Sequence, residues 1–149
     1  MKSNIIYIRL DANHEKGMGH LFRMMRLANF FILNGYKINF LIKNNQESER
    51  ILKDKGFEYI SYSIEIGEDE IINNTINLSK PFVWIYDILN TKTSWVNYLK
   101  AKNIKVICFD DLKGGVIAPA DLIINPIVGC WQNKIENSSL PIYNGPNYS

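Results

Sequence analysis

The stretch from Leu10 to Phe31 contains the residues best suited to chemistry, because it places two glycines and a histidine between an apolar run and an amphipathic run. Gly17 and Gly19 allow a tight turn and the close approach of a ligand to the backbone. The helix that follows offers unpaired N–H groups at its N-terminus, which favour an anion. The spacing lacks the Gly-Lys-Ser/Thr of a P-loop and the third glycine of a dinucleotide-binding loop.

His20 is the candidate general base of this stretch. At the start of a helix it lies at the positive end of the helix dipole, which disfavours the imidazolium and keeps a neutral ring available near pH 7. Neutral imidazole is the form that can take a proton from water. The position suits equally well a histidine that only hydrogen-bonds at the helix N-terminus. His14, which has charged neighbours, is interpreted as a solvated surface residue.

Acidic residues follow three of the predicted strands. Asp11 comes after the first, Asp87 closes FVWIYD, and Asp110 with Asp111 closes VICFDD. Ligands of open α/β sheets bind beyond the carboxyl ends of the strands, near the point where the strand order reverses. These carboxylates, beside the loop of residues 17–20, therefore predict one cleft. The alternative for each aspartate is a helix cap or a turn, positions that Asp favours for its own backbone hydrogen bonds.

Three arginines flank the same region. Arg9 and Asp11 are two residues apart, so on a strand they share a face and either bind substrate or form a structural ion pair at the mouth of the sheet. Arg23 lies one helical turn from His20 and is predicted to face a phosphate, whereas Arg26 is predicted to be solvated.

The apolar periodicity predicts the elements that must position these residues. Runs of strand length occur at Ile5 to Leu10, Lys37 to Ile42, Phe82 to Tyr86, Ile104 to Phe109 and Leu122 to Ile124. Helices are predicted at His20 to Leu33, Gln46 to Lys55, Glu68 to Leu78 and Thr91 to Lys102. The first helix has one apolar stripe, formed by Leu21, Met24, Met25, Ala28, Phe31 and Ile32, and Gly35 follows where a C-terminal cap belongs. The alternation predicts a doubly wound parallel α/β sheet as one domain over residues 1–149. After Asn125 we expect loops around one short apolar piece, Leu140 to Tyr143.

The composition agrees with a soluble domain. The 149 residues are 46% hydrophobic, and the net charge of +2 is spread without a block of like charge, so we expect no nucleic-acid partner. Cys108 and Cys130 lack metal-ligand spacing and are interpreted as free thiols. No apolar run approaches the ~20 residues of a membrane span, and the N-terminus does not resemble a signal peptide. We therefore expect a cytoplasmic protein without stable membrane insertion.

The glycine-histidine stretch also resembles a known family. It is similar to the N-terminal signature of the UDP-sugar hydrolases of pseudaminic acid biosynthesis and their spore-coat-polysaccharide relatives, R-x-D-x-x-x-x-x-G-x-G-H-x-x-R-x-x-x-L-A. The matching residues are Arg9, Asp11, Gly17, Gly19, His20, Arg23, Leu27 and Ala28. FDDLKGGVIAPADLIINP resembles the family's second stretch, with matches at Asp110, Asp111, Asp121 and Asn125. YNGPNYS resembles its closing Gly-Pro-x-Tyr segment at Gly145, Pro146 and Tyr148.

The resemblance implies a fold and a reaction. Family members have a two-domain GT-B architecture, so this chain would be the Rossmann-like N-terminal half, and its partner a C-terminal domain that supplies most uridine and diphosphate contacts. The substrate implied is a UDP-linked 2,4-diacetamido-2,4,6-trideoxyhexose, hydrolysed by water without a metal or cofactor. The catalytic base implied is His20. The substrate-binding residues expected are Arg9, Asp11, Gly17, Gly19, Arg23, Asp87, Asp111 and Asn125.

Two functional hypotheses from different classes remain open. The first is a nucleotide-sugar hydrolase or a related glycosyltransferase of surface-polysaccharide synthesis, since water and a sugar hydroxyl are similar nucleophiles. The second is a non-catalytic half that binds a partner subunit or the glycan acceptor. The family usually has a tyrosine two residues beyond the aspartate that matches Asp87, at a position of the sugar site, whereas this chain has Leu89.

Overall fold

Strands and helices alternate through most of the computed structural model, which describes residues 3–12, 18–89, 91–109, 120–125 and 142–144. The strands are β1 (Ile5–Leu10), β2 (Lys37–Lys43), β3 (Glu58–Tyr62), β4 (Val83–Asp87), β5 (Lys105–Phe109), β6 (Leu122–Asn125) and β7 (Ile142–Asn144). The helices are α1 (Gly19–Leu33), α2 (Gln46–Asp54), α3 (Glu68–Leu78) and α4 (Thr93–Ala101).

The strands form one parallel sheet in the order β3-β2-β1-β4-β5-β6-β7. The predicted doubly wound parallel α/β fold is confirmed. The strand order reverses between β1 and β4, where Leu10 pairs in register with Asp87. The carboxyl ends of these two strands therefore border the crevice in which open α/β sheets bind ligands.

Helices cover both faces of this sheet. Because side chains alternate along a strand, Ile6, Ile8 and Leu10 of β1 pack with α1 and α2, whereas Tyr7 packs with α3 and α4. The same alternation in β4 places Ile85 on the α1 face and Trp84 and Tyr86 on the α3 face. Strands buried on both faces read as continuous apolar runs, which explains why β1 and β4 were predictable.

Helix α1 confirms most of the predicted apolar stripe. Its buried residues are Leu21, Met24, Met25 and Ala28. Ile32, which the pattern also assigned to this stripe, is instead 46% exposed. It lies in the last turn of α1, where Phe31 packs edge-on against Tyr36 and takes the inward position. Gly35 follows with φ of +87°, as expected for a C-terminal cap.

The sequence pattern missed two strands. β3 lies at the edge of the sheet and its residues Glu58 to Ser61 are at least partly exposed, so it lacks the continuous apolar run of a central strand. β7 contains three residues within a region expected to be loops around an apolar piece.

Other boundaries agree within two residues, and α3 matches its predicted range. Cys108 is buried, while Cys130 lies outside the described residues. Within the described ranges, no helix is both long and apolar enough to cross a bilayer.

Gly56 provides a test of the helix-to-strand turn between α2 and β3. Its φ is +76°, a conformation that costs an L-residue about 1–2 kcal/mol. Gly56→Ala is therefore expected to lower the free energy of unfolding by about 1 kcal/mol in a urea titration. The control is Lys55→Ala, because Lys55 precedes it with an ordinary φ of −89°. Equal losses in both variants would contradict a conformational origin.

Candidate functional site

Three polar side chains meet beyond the carboxyl ends of β1 and β4. Nδ1 of His20 lies 2.7 Å from Oδ1 of Asp87, and Nη2 of Arg23 donates to the same oxygen at 2.7 Å. The Asp87 side chain is fully buried, whereas the side chains of His20 and Arg23 are 28% and 18% exposed. A buried carboxylate thus supports two side chains that reach the surface of the crevice.

Local structure explains why these residues converge. His20 and Arg23 are three residues apart in the first turn of α1, so they lie on one face of the helix. Asp87 is the last residue of β4 and, by strand alternation, points to the same face of the sheet as Ile85, the face that α1 covers. The packing of α1 on the face of the sheet formed by β1 and β2, next to β4, therefore brings the three groups together.

The contacts determine which ring nitrogen of His20 carries the proton. An ionised carboxylate can only accept hydrogen bonds, so the 2.7 Å contact with Asp87 requires a proton on Nδ1. Nη2 of Arg23 lies 3.2 Å from Nδ1, and we interpret this as two donors converging on one oxygen. In the neutral ring, Nε2 then carries the lone pair. This is the tautomer in which a histidine held by a carboxylate acts as a base.

Asp87 uses its two oxygens unequally. Oδ1 accepts from both partners, while Oδ2 is buried and has no hydrogen-bond partner among the residues that the structure describes. Arg23 is also held by an aromatic ring, because its Cζ lies 5.4 Å from the centroid of Phe109 at the end of β5. The guanidinium therefore connects the ends of β4 and β5 through two different interactions. The sequence pattern did not identify Phe109 as part of this site.

A second polar cluster lies on the opposite face of the same sheet edge. Arg9 is 2% exposed, and its Nε donates to both carboxylate oxygens of Glu68, at 3.1 and 3.0 Å. Its Nη1 donates to the carbonyl of Leu10 and to Oδ1 of Asp11, each at 2.7 Å. The ion pair proposed from the sequence for Arg9 and Asp11 is therefore present. Glu68, the first residue of α3, was not identified from the sequence.

The charges of this cluster are only partly balanced, because one guanidinium faces two carboxylates. Burial lowers the pKa of Arg9, but Glu68 and Asp11 together raise it above its ordinary value. Burial raises the pKa of Glu68. The positive charge of Arg9 offsets this rise only in part, and repulsion from Asp11 adds to it. Burial also raises the pKa of the Tyr86 phenol well above its ordinary value, and the negative charge of Glu68 adds to this. The Tyr86 phenol therefore stays protonated at neutral pH.

The N-terminus of α1 carries no acidic side chain, unlike those of α2 and α3. Met18 precedes the helix without a capping side-chain hydrogen bond, and the first turn contains no acidic residue. The first turn of α2 contains Glu47 and Glu49, and that of α3 contains three acids. A Cβ added to Gly19 meets no atom within 4 Å among the described residues, so a small side chain there causes no clash.

Three predicted site residues, Gly17, Asp110 and Asp111, lie outside the part of the chain that the structure describes, as does the predicted surface residue His14. For Asn125, the backbone ends β6 and pairs with Asn144 at the same carboxyl edge. Leu89, two residues beyond Asp87, is 65% exposed. No group of three or more His, Cys, Asp or Glu side chains suited to a metal occurs among the described residues.

Two cavities lie away from these clusters. One, of about 690 Å³, is lined by Tyr36, Lys80 and Phe82, next to the amino ends of β2 and β4. The other, of about 310 Å³, is lined by residues of α1 together with Lys55 and Phe57. Neither contains a histidine or a carboxylate, so the polar clusters at the carboxyl edge remain the better candidates for chemistry.

Two curated proteins are similar to the chain over nearly its whole length. The spore coat polysaccharide biosynthesis protein SpsG of Bacillus subtilis (strain 168) is 32% identical over 142 residues, a match that covers 93% of this chain and 40% of SpsG. The uncharacterized protein MJ1062 of Methanocaldococcus jannaschii is 32% identical over 149 residues, covering 96% of this chain and 30% of that protein. The chain therefore spans less than half the length of these relatives.

No protein-family model and no solved structure matches the chain. The similarity to SpsG supports the resemblance at the level of a spore-coat-polysaccharide family. It does not extend to a particular reaction or sugar.

The geometry predicts the tautomer of His20. We expect long-range ¹H–¹⁵N spectra of the neutral ring to show a protonated Nδ1 and an unprotonated Nε2, because Asp87 accepts from Nδ1. His14, the other histidine, serves as an internal reference in the same spectrum. Asp87→Ala should abolish the preference at His20 and leave the His14 signals unchanged. A ring protonated on Nε2 in the wild type would contradict the assignment.

Proposed function

We propose that this chain forms the histidine-bearing half of an enzyme that acts on a UDP-sugar in surface-polysaccharide biosynthesis. The proposal rests on one observation above others: His20 is held by a buried carboxylate at 2.7 Å, at the strand-order reversal of a doubly wound sheet. Its biological setting is supported by the similarity to a protein named for spore coat polysaccharide biosynthesis.

In the proposed reaction, His20 activates the nucleophile. Nε2 accepts a proton from water as the water oxygen bonds to the anomeric carbon of the sugar. The bond between that carbon and the β-phosphate oxygen breaks, and its electron pair leaves with UDP. Asp87 stabilises the imidazolium that forms, as the carboxylate of a catalytic triad does. The proton later passes from Nε2 to solvent, which restores the base.

The diphosphate is proposed to approach the N-terminus of α1. Backbone N–H groups there favour an anion, and no acidic side chain of the first turn opposes it. Gly19 allows close approach because nothing in the described structure occupies the space of a Cβ. Arg23 places a positive charge beside this helix end and also fixes Asp87. Gly17, Asp111 and Asn125 are retained as proposed substrate contacts.

We further propose that a second domain completes the site. Both relatives are more than twice as long as this chain, and the resemblance implies that a C-terminal GT-B domain binds most of the uridine and diphosphate. Water and a sugar hydroxyl differ little as nucleophiles, so the same histidine serves a hydrolase or a glycosyltransferase. Leu89, exposed at the carboxyl edge, is proposed to contribute to the choice of sugar.

Substitution of the base tests the proposal directly. In the full-length protein, His20→Ala is expected to lower turnover of a UDP-sugar by about 10²–10⁴, the usual cost of losing a general base. Asp87→Asn should also lower kcat, because an amide no longer favours Nδ1 protonation or stabilises the imidazolium. UDP release measures turnover, and thermal melting controls for folding. Arg26→Ala is the control, since Arg26 is exposed on the same helix.

The outcomes separate the competing hypotheses. If His20→Ala keeps full activity, residues 17–20 only connect β1 to α1, and the catalytic proposal is wrong. A folded wild-type protein that neither binds nor cleaves UDP-sugars would favour the alternative of a non-catalytic half that binds a partner subunit or a glycan acceptor.

Gly19 tests the approach of substrate to the backbone. Gly19→Val is expected to raise KM by about 10-fold or more, because the added side chain occupies ligand space, while its Cβ meets no described atom. Asn29→Val, at an exposed position of the same helix, controls for the effect of a β-branched residue. If both variants leave KM unchanged, the diphosphate does not approach Gly19.

A further inference from the structure

Glu68 is a buried acid that neither the sequence pattern nor the proposed reaction explains. It is the first residue of α3 and is 8% exposed, unlike Asp69 and Glu70, which follow it in the same turn and are exposed. Acids in the first turn of a helix usually interact with the helix dipole from the surface. Glu68 instead points into the sheet and binds the Nε of Arg9.

The loop before α3 is fixed so that Glu68 reaches this position. Lys43, at the end of β2, donates to the carbonyls of Ser63, Ile64 and Ile66. A turn also closes this loop, because the backbone N–H of Ile66 donates to the carbonyl of Ser63 at 3.1 Å. The loop and α3 therefore present Glu68 to Arg9 from a defined direction.

Stability alone does not account for this buried charge. Because burial raises the folded-state pKa of Glu68 above its ordinary value of 4.5, its ionisation costs folding free energy. Protonated Glu68 therefore contributes to the free energy of unfolding at a pH below its unfolded-state pKa, and this contribution is lost as the pH rises through its folded-state pKa. Arg9, Asp11, Lys43 and Tyr86 are the charged or titratable groups that act on it. A buried ion pair of this kind adds little net stability, because the cost of desolvating both charges offsets their attraction, so the cluster points to a role other than stability.

The geometry indicates what that role is. Arg9 contacts Glu68 through Nε and Asp11 through Nη1, so one rigid guanidinium connects the two acids. Asp11 directly follows Leu10, the last residue of β1, which pairs in register with Asp87. Its side chain is 22% exposed. Asp11 is therefore the member of the cluster that is most exposed, and it lies at the carboxyl edge of the sheet, where β1 ends beside β4.

We propose that Glu68 is a positioning residue, which acts through Arg9 to fix the carboxylate of Asp11 where the sugar nucleotide binds. This proposal rests on the proposed function for its substrate. It assigns the buried cluster to substrate binding and leaves proton transfer to His20. Loss of Glu68 should therefore raise KM and change kcat much less.

The principal test is Glu68→Met in the full-length protein, because methionine fills a similar volume but is uncharged and offers Arg9 only a weak hydrogen-bond acceptor. KM for the UDP-sugar is expected to rise about 10-fold, the effect of weakening one hydrogen bond to a charged group. Glu68→Gln keeps an acceptor oxygen and should restore most of the affinity. Glu70→Met is the matched control, on an exposed acid of the same helical turn, and should leave KM unchanged.

A second measurement does not depend on catalysis. The ¹³C signal of the Asp11 carboxyl group is expected to shift in Glu68→Met and to stay in place in Glu70→Met. Arg9→Lys should shift it as well, because an ammonium cannot span both acids. If Glu68→Met does not fold, Glu68→Gln decides the matter, because it removes the charge of Glu68 and leaves Arg9 in place, and it should shift the Asp11 signal less than Arg9→Lys does. An unchanged Asp11 signal in a folded variant would overturn the positioning role, as would equal KM effects at Glu68 and Glu70. If the wild type does not act on UDP-sugars, the proposed function fails while the Asp11 signal still tests the connection.

Discussion

The pairing of β1 with β4 is the constraint on which both polar clusters depend. These strands are far apart in the sequence but adjacent in the sheet, and the strand order reverses between them. On either side of this reversal the connecting helices run in opposite directions. A crevice therefore forms between them, bordered by their N-termini and by the carboxyl ends of the strands. Asp11 and Asp87 occupy this crevice because each stands at the end of one of the two strands. The rest of the fold keeps that pairing in place by covering both faces.

A buried carboxylate must be satisfied, and Asp87 shows how the first turn of α1 meets this need. Arg23 and His20 converge on one oxygen at 2.7 Å, so the residue that supports the histidine is itself stabilised by a cation. Removal of one partner from a buried charge pair commonly costs about 3–5 kcal/mol. The same contacts therefore connect the position of α1 on the sheet to the orientation of His20. Oδ2 stays buried without a partner among the described residues, the kind of unsatisfied group for which a functional reason is sought.

The sequence predicted the parts of this arrangement that follow from periodicity and strand ends. Asp87 was placed at the sheet edge because a continuous apolar run precedes it, and His20 because a glycine loop precedes an amphipathic helix. Glu68 was missed because its burial depends on Arg9, 59 residues away, while its acidic neighbours made it look like an ordinary helix start. A buried arginine in a central strand requires an acid from another element, and this requirement was the available signal. β3 was missed because an edge strand lacks the apolar run that predicted the central ones.

The two clusters lie on opposite faces of the sheet, and the register of β1 and β4 keeps them separate. Leu10 pairs with Asp87 on the α1 face, and Arg9 pairs with Tyr86 on the α3 face. A shift of one residue in β4 would move each of its side chains to the opposite face. Asp87 would then lie beside Glu68, where two buried carboxylates repel, and His20 would lose its acceptor. The apolar alternation that specifies the core therefore also specifies which acid supports the histidine and which acids share the buried arginine.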